Sequence, residues 1–257
     1  MRSIARLEAV STNTINKLLL AAGDTCRQFH NQHVRNVAIA AEIQCDELWS
    51  FIYAKDRTAH AGTLVDPPEV LGSVWTFTAI DSQSKLLLSY LVRKQRNTRS
   101  ATAFFHDLHA RLTFSEATTL TLCTDSLEAY QLAFAQIFLD TPTELRQIRK
   151  GTTTDHSTAY VERHNLTIRM ANRRYTRKTN AFSKQLANHE ASMHLFAVYY
   201  NFCRTHKTLR MTPALFANLT DIQIDLDHIV DLIDANAPKP KKPGPAKGTK
   251  YRPRVKA

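Results

Sequence analysis

The chain has 257 residues, 43% hydrophobic and 22% charged, a size and balance that suit one soluble catalytic domain with a small appendage. No apolar run approaches a bilayer span, Ile4 to Val10 is broken by Arg6 and Glu8 as no secretory leader is, and Cys26, Cys45, Cys123 and Cys203 form no Cys-x-x-Cys pair. These features argue against a membrane protein, a secreted disulfide scaffold and a zinc ribbon. The net charge of +11 is concentrated in two places. Residues 160–180 carry Arg163, Arg169, Arg173, Arg174, Arg177 and Lys178 against Glu162 alone, and 239–257 carry eight lysines and arginines with no acid. Such a localised excess points to a polyanion, most often nucleic acid, although a tail of this kind also serves solubility.

In chain order, SIARLEAVSTNTINKLLLAAG reads as two short helices. The turn falls at Ala9–Val10, Ser11 or Thr12 caps the second helix, and Ile15 and Leu18 supply its buried face. That is helix-turn-helix spacing, with the second helix (about Thr12 to Leu20) entering a major groove. An ordinary helical hairpin is the competing reading, because Ala9 stands where glycine is commonest. Residues 24–40 read as helix or linker. From Ala41 the pattern alternates: Ile43, Cys45, Glu47 and Trp49 take one side of a strand, and Gln44, Asp46, Leu48 and Ser50 the other. A loop from His60 to Gly72 leads to strands over Ser73–Ile80 and Lys85–Val92, joined by the turn residues Asp81 to Ser84. A helix follows over Asn97–Leu112, then a buried strand over Thr118–Asp125, a helix from Ser126 to about Leu139, and a short strand over Leu145–Arg149. Beyond a polar loop at Gly151–Asp155, the chain reads as helix from Ser157 through the basic face and again from Ser183 to Arg204. An acidic amphipathic helix (about Asp221 to Ala235) precedes a basic tail expected to be disordered. The expected organisation is 1–40 as a DNA-binding segment and linker, 41–215 as the catalytic domain, 216–236 as the acidic helix and 237–257 as the tail.

The succession β-β-β-α-β-α-β-α is the plan of an α/β, ribonuclease-H-like (retroviral-integrase-like) fold: a mixed five-stranded sheet flanked by helices. In that plan the first and fourth strands are neighbours at the sheet centre. Asp46 lies in the first and Asp125 ends the fourth, so the two carboxylates sit side by side, and a helix after the fifth strand brings Glu162 over them. Three clustered carboxylates repel unless cations compensate, and two Mg²⁺ or Mn²⁺ ions with oxygen ligands would do so. Each acid also has an ordinary reading: Asp125 as a helix cap, Asp46 as a solvent-facing strand residue, Glu162 as a partner of Arg163 or Arg169. The spacing argues against three coincidences, since 36 residues separate Asp125 from Glu162 and Arg169 follows Glu162 two helical turns later. Arg169, Asn165, Arg173, Arg174, Arg177 and Lys178 are the candidate DNA contacts. Among the other acids, Asp81 reads as a turn residue and Asp155 as a cap. Asp56 adjoins the first strand, and Glu47 points away from Asp46 across the pleat. His156 is a weaker candidate on the loop before Glu162, and Ser126 lacks partners for a nucleophile.

The segments QCDELWSF (Gln44–Phe51), TDSLEAY (Thr124–Tyr130), STAYVERHNLTIRM (Ser157–Met170) and YNFCRTHKTLRMTPA (Tyr200–Ala214) resemble bacterial insertion-sequence transposases of the DDE class, specifically the insertion-sequence-one, InsB-like group. The resemblance runs from the first helices to Ala214. It implies Asp46, Asp125 and Glu162 as catalytic, metal-holding acids, Mg²⁺ dependence, recognition of terminal inverted repeats and assembly as a homo-oligomer on DNA. It also implies a cytoplasmic, nucleoid-associated protein. The chain departs from the group in a shorter Asp125–Glu162 stretch and a smaller leading DNA-binding segment. The expected function is cleavage and strand transfer at insertion-sequence ends. The alternatives are a catalytically silent DNA-binding remnant or repressor, and a structure-selective nuclease that does not transpose.

Overall fold

The computed structural model describes residues 1–62, 64, 66–148 and 157–236. The loop expected at Gly151–Asp155, His156 and the basic tail lie outside the described residues. In chain order the elements are α1 (Arg2–Leu7), α2 (Thr12–His33), β1 (Val37–Ala38), β2 (Glu42–Ile52), α3 (Asp56–Ala59), β3 (Gly72–Asp81) and β4 (Leu87–Arg93). They continue with α4 (Thr98–His109), β5 (Leu112–Thr113), β6 (Leu120–Asp125), α5 (Glu128–Ile137), β7 (Thr143–Ile148), α6 (Ala159–Ala171), α7 (Leu186–Val198), α8 (Pro213–Phe216) and α9 (Leu226–Asn236). None of the described helices is long and apolar enough to cross a membrane.

Five strands form one mixed sheet in the order β4-β3-β2-β6-β7, with β2–β3 and β3–β4 antiparallel and β2–β6 and β6–β7 parallel. The first and fourth long strands are therefore central neighbours, as expected. Helices cover both faces, which is why β2 is apolar on both sides. On one face Ile43, Cys45, Phe77, Leu122, Phe104, Phe105 and Tyr130 form the main core with α4 and α5. On the other, Leu48 packs with Ile168, Tyr175, Met193 and Phe196. The β3–β4 turn is closed by Asp81, whose carboxylate accepts the Gln83 and Ser84 amides at 3.3 and 2.8 Å, the structural role expected of it. Asp56 is structural too: Oδ1 accepts the Ser73 amide at 2.7 Å.

Three expectations need correction. The second helix does not end near Leu20 but runs to His33, capped by Ser11 through the Thr14 amide at 3.0 Å. Its buried residues are Ile15, Ala22, Gly23, Thr25, Cys26 and His30, whereas Leu18 is 58% exposed. The cause is that α2 packs along α7 with its later turns, and the face used there is set by Gly23, not by Leu18. Cys26 and Val34 from this region, and Ile224 and Ile229 from the other end of the chain, join the main core. The basic helix stops at Ala171, because Asn172 turns its side chain to the Ser192 carbonyl and hydroxyl at 3.2 and 3.1 Å. Arg173 and Arg174 lie in a single 3₁₀ turn, and Arg177 and Lys178 follow it outside any helix. The long helix expected over Ser183–Arg204 is α7 followed by a π turn at Tyr199–Cys203. There Asn201 accepts the Leu87 amide and donates to the Leu87 carbonyl, each at 2.9 Å, replacing a strand partner at the β4 edge.

A Cβ added at Gly23 would sit 2.4 Å from the Ala191 Cβ and 2.6 Å from its Cα, so α2 and α7 approach at backbone distance. Gly23→Val should cost about 3 kcal/mol by overpacking against an immobile helix. Urea unfolding of the variant measures it; an unchanged midpoint would contradict this packing.

Candidate active site

The site grows from alternate residues of β2, each gripping a different part of the α6–α7 layer. Gln44, fully buried, accepts the Tyr160 and Val161 amides through Oε1 at 2.8 and 3.1 Å. These amides open α6 and have no partner inside the helix, so a β2 side chain fixes where α6 begins. Asp46 Oδ2 accepts from Asn165 Nδ2 at 2.8 Å, and Thr78 Oγ1 donates to Asn165 Oδ1 at 3.1 Å. Leu48 packs on Ile168, and Ser50 Oγ lies 2.9 Å from His189 Nε2.

Parallel register brings the second acid in. Glu42, Ile43 and Gln44 pair with Thr121, Leu122 and Cys123. Carried two residues further, the same register sets Asp46 level with Asp125 on the neighbouring strand. Ladder pairing ends at Gln44–Cys123, so the strands part just before the two carboxylates, midway along β2 and at the end of β6, and leave a crevice between them. Asp125 does not cap α5, which starts at Glu128 behind Leu127; instead its Oδ1 accepts the Leu127 amide at 3.0 Å.

Glu47 corrects the pleat argument. It does leave β2 on the opposite face from Asp46, among α4 and α5. Past the last β2–β6 pair, however, no strand separates the faces, and its long side chain reaches round. Carboxylate oxygens of Asp46, Glu47 and Asp125 lie within 4.8 Å of one another, a group that could hold a metal ion. The set contains only carboxylate oxygens, which suits a hard divalent cation. The residues present therefore fit such an ion.

Electrostatics follow this crowding. Burial raises the Asp46 carboxyl above its ordinary value; its bonds to the Glu47 amide and Asn165 pull it down, while Asp125 and Glu162 push it further up. Burial lifts Glu47 to about 7, outweighing the Arg96 guanidinium beside it. Arg96 lies in the loop between β4 and α4. It donates to Glu47 Oε2 from Nε at 3.0 Å and to Asp125 Oδ2 from Nη2 at 2.9 Å.

Glu162 lies in the first turn of α6, exposed, and its Oε1 accepts from Thr158 Oγ1 at 2.9 Å. Its charge acts on Asp46, but its oxygens are outside the three-carboxylate group. Arg169, two turns on, is half-buried with its Nε unpartnered; burial lowers its pKa, Arg177 adds to this, and Asp46 opposes it. Asn165 is 2% exposed, so it positions Asp46 and cannot contact DNA as expected. Arg173, Arg177 and Lys178 are exposed, whereas Arg174 is partly buried and donates to Ser183 Oγ at 3.0 Å. A groove of ≈ 1600 Å³ opens beside the end of α6. Among the described residues it is lined by Arg2, Lys55, Arg173, Arg174, Lys178 and Lys184 and by no acid.

Gln44 and Arg96 carry no sequence signal for a site role, and Glu47 is an acid that the pleat argument sets aside. Glu47 alone had a signal, as a lone acid among the apolar residues of its strand face.

No family model and no curated protein matches the chain. Among solved structures, it has a weak likeness to the Mos1 transposase paired-end complex with left transposon end, 11% identical over 77% of this chain and 71% of that one, with a TM-score of 0.30. The crystal structure of the Mos1 strand transfer complex is also 11% identical, over 76% and 70%, with a TM-score of 0.29. Overlaps this low establish neither a fold nor an activity.

Proposed function

We propose that the protein is a DDE-type transposase of ribonuclease-H-like fold that cleaves and joins DNA strands at the ends of an insertion sequence. The observation that carries this reading is the Asp46–Asp125 pair, level on adjacent parallel strands at the mouth of a crevice, with Glu162 acting on Asp46 from α6. Asp46 and Asp125, joined by Glu162, would hold Mg²⁺ or Mn²⁺. When bound, such ions activate an attacking hydroxyl and stabilise the leaving oxygen in phosphoryl displacement.

The chain's own residues do the rest. Asn165 holds Asp46 in one rotamer, so the carboxylate is set in place without reorganisation. Gln44 pins the first turn of α6 and with it Glu162. Arg169 places a half-buried side chain within reach of the Asp46 charge, suited to a phosphate of the strand being cut. Arg173, Arg174, Lys178 and Lys184 along the acid-free groove would carry the flanking backbone, in the basic role read for Arg173, Arg174, Arg177 and Lys178.

The test uses the full chain and a plasmid carrying the DNA that flanks its gene. Nicking and strand joining with Mg²⁺ or Mn²⁺, and neither with EDTA, are expected at inverted repeats. Tight binding to that DNA without metal-dependent cleavage would replace this reading with that of a silent, repressor-like DNA-binding protein. Cleavage without joined products or end preference would leave a nuclease.

A further inference from the structure

In this structure each oxygen of the Asp125 carboxylate accepts one hydrogen bond, and the side chain is 39% exposed. Oδ1 accepts the Leu127 amide at 3.0 Å and Oδ2 accepts Arg96 Nη2 at 2.9 Å. The same guanidinium holds Glu47 Oε2 through Nε at 3.0 Å and Nη2 at 2.9 Å. It thus bridges two members of the carboxylate group, where a cation is needed to offset their repulsion.

The two ends of this bridge differ in freedom. The Glu47 side chain is 1% exposed and lies against Tyr130, so this carboxylate stays where it is. The Arg96 side chain is 32% exposed, on a loop, with the Trp75 ring 5.1 Å from its guanidinium carbon on the other side. A guanidinium is a poor permanent substitute for a divalent ion, because it only donates hydrogen bonds and cannot coordinate and activate an attacking or leaving oxygen. It does, however, remove the cost of leaving buried acids without a counter-charge.

We propose that Arg96 is a displaceable stand-in for a divalent cation: it neutralises Glu47 and Asp125 in the ion-free protein and must release Asp125 when the site loads. This rests on the reading of Asp46 and Asp125 as metal-holding acids. Arg96 is then a positioning and gating residue, whose removal strengthens metal binding, whereas a purely structural ion pair would weaken it or leave it unchanged.

Mn²⁺ binding to the full chain at pH 8, followed by the electron paramagnetic resonance signal of free Mn²⁺, tests this. Arg96→Gln should lower the apparent Kd for Mn²⁺ about tenfold, and Arg96→Lys should stay near the wild-type value. If Arg96→Gln does not fold, Glu47→Gln compared with Glu47→Gln/Arg96→Gln makes the same comparison without a stranded buried charge, with tighter binding expected in the double variant. Unchanged or weaker Mn²⁺ binding on removing Arg96, while Asp125→Asn abolishes it, overturns the gating role and leaves the proposed function standing. Equal Mn²⁺ binding by wild type, Asp46→Asn and Asp125→Asn overturns both.

Discussion

Asp46→Asn and Asp125→Asn are expected to reduce Mn²⁺-dependent DNA cleavage by about 10³-fold or more, without loss of folding. Each change removes a charge proposed to hold metal but keeps the side-chain volume, and several kcal/mol of transition-state charge stabilisation corresponds to about three decades of rate. Asp46 is half-buried beside Asp125 and within reach of the Glu162 charge, so its neutral replacement relieves repulsion in the ion-free protein. The melting temperature of Asp46→Asn without metal should equal or exceed that of wild type. Glu162→Gln, on an exposed helix turn, should lose activity with no change in stability at all. Asn165→Ala keeps every carboxylate and frees the Asp46 rotamer, so it should cost only about 10- to 100-fold. Initial nicking rates and thermal melts on the same preparations separate these cases. Full cleavage by any of the three carboxylate variants would remove that acid from the assignment.

The second large effect is on acid stability. His30, His164 and His189 are buried with pKa values near 3, and His194 near 4, each pushed down chiefly by burial. His30 is held neutral by geometry: Nε2 donates to the Leu87 carbonyl at 3.1 Å while Nδ1 accepts from Arg111 Nη1 at 3.3 Å. A histidine whose folded pKa lies below its unfolded value binds fewer protons folded than unfolded. Its contribution is therefore complete above about pH 6.5 and is lost progressively as pH falls toward the folded pKa, here over the window from 6.5 to between 4 and 3. Each such group removes about 1.4 kcal/mol per pH unit. Glu47 acts in the opposite sense: its folded pKa is raised to about 7, so protonation between pH 7 and 4.5 restores stability and offsets one histidine. The net is on the order of 4 kcal/mol per pH unit near pH 5.5, a large part of a typical domain's stability. Urea unfolding at pH 7.5, 6.0 and 5.0 should show a steep fall in midpoint, and His189→Gln should make the slope shallower by one proton. A midpoint that is flat between pH 7.5 and 5.0 would show that these histidines are not neutral and buried.

The sequence by itself determined the elements whose signal repeats locally. Alternation in EIQCDELWSF marks β2, and the stripe of Glu162, Asn165 and Arg169 marks α6, because period alone decides which residues share a face. The same logic marked Asp46 and Asp125 as acids in apolar strands. Their side-by-side placement required only the order of the strands, and β2 and β6 are central neighbours.

What the tertiary structure alone decided are contacts between residues far apart along the chain. Gln44 caps α6 across 116 positions, and Arg96 bridges Glu47 and Asp125 across 49 and 29. The length of α2 and its exposed Leu18 were decided by the close approach of Gly23 to Ala191, which no pattern within α2 reveals. Asn165 looked like a DNA contact because it shares a stripe with Arg169; α6 is rotated onto β2 so that Asn165 is buried against Asp46 while Glu162 stays exposed. Periodicity fixes a face only to within a residue or so of helix rotation. The choice within that margin belongs to packing, and at this site it separates an exposed residue from one that holds Asp46 in place.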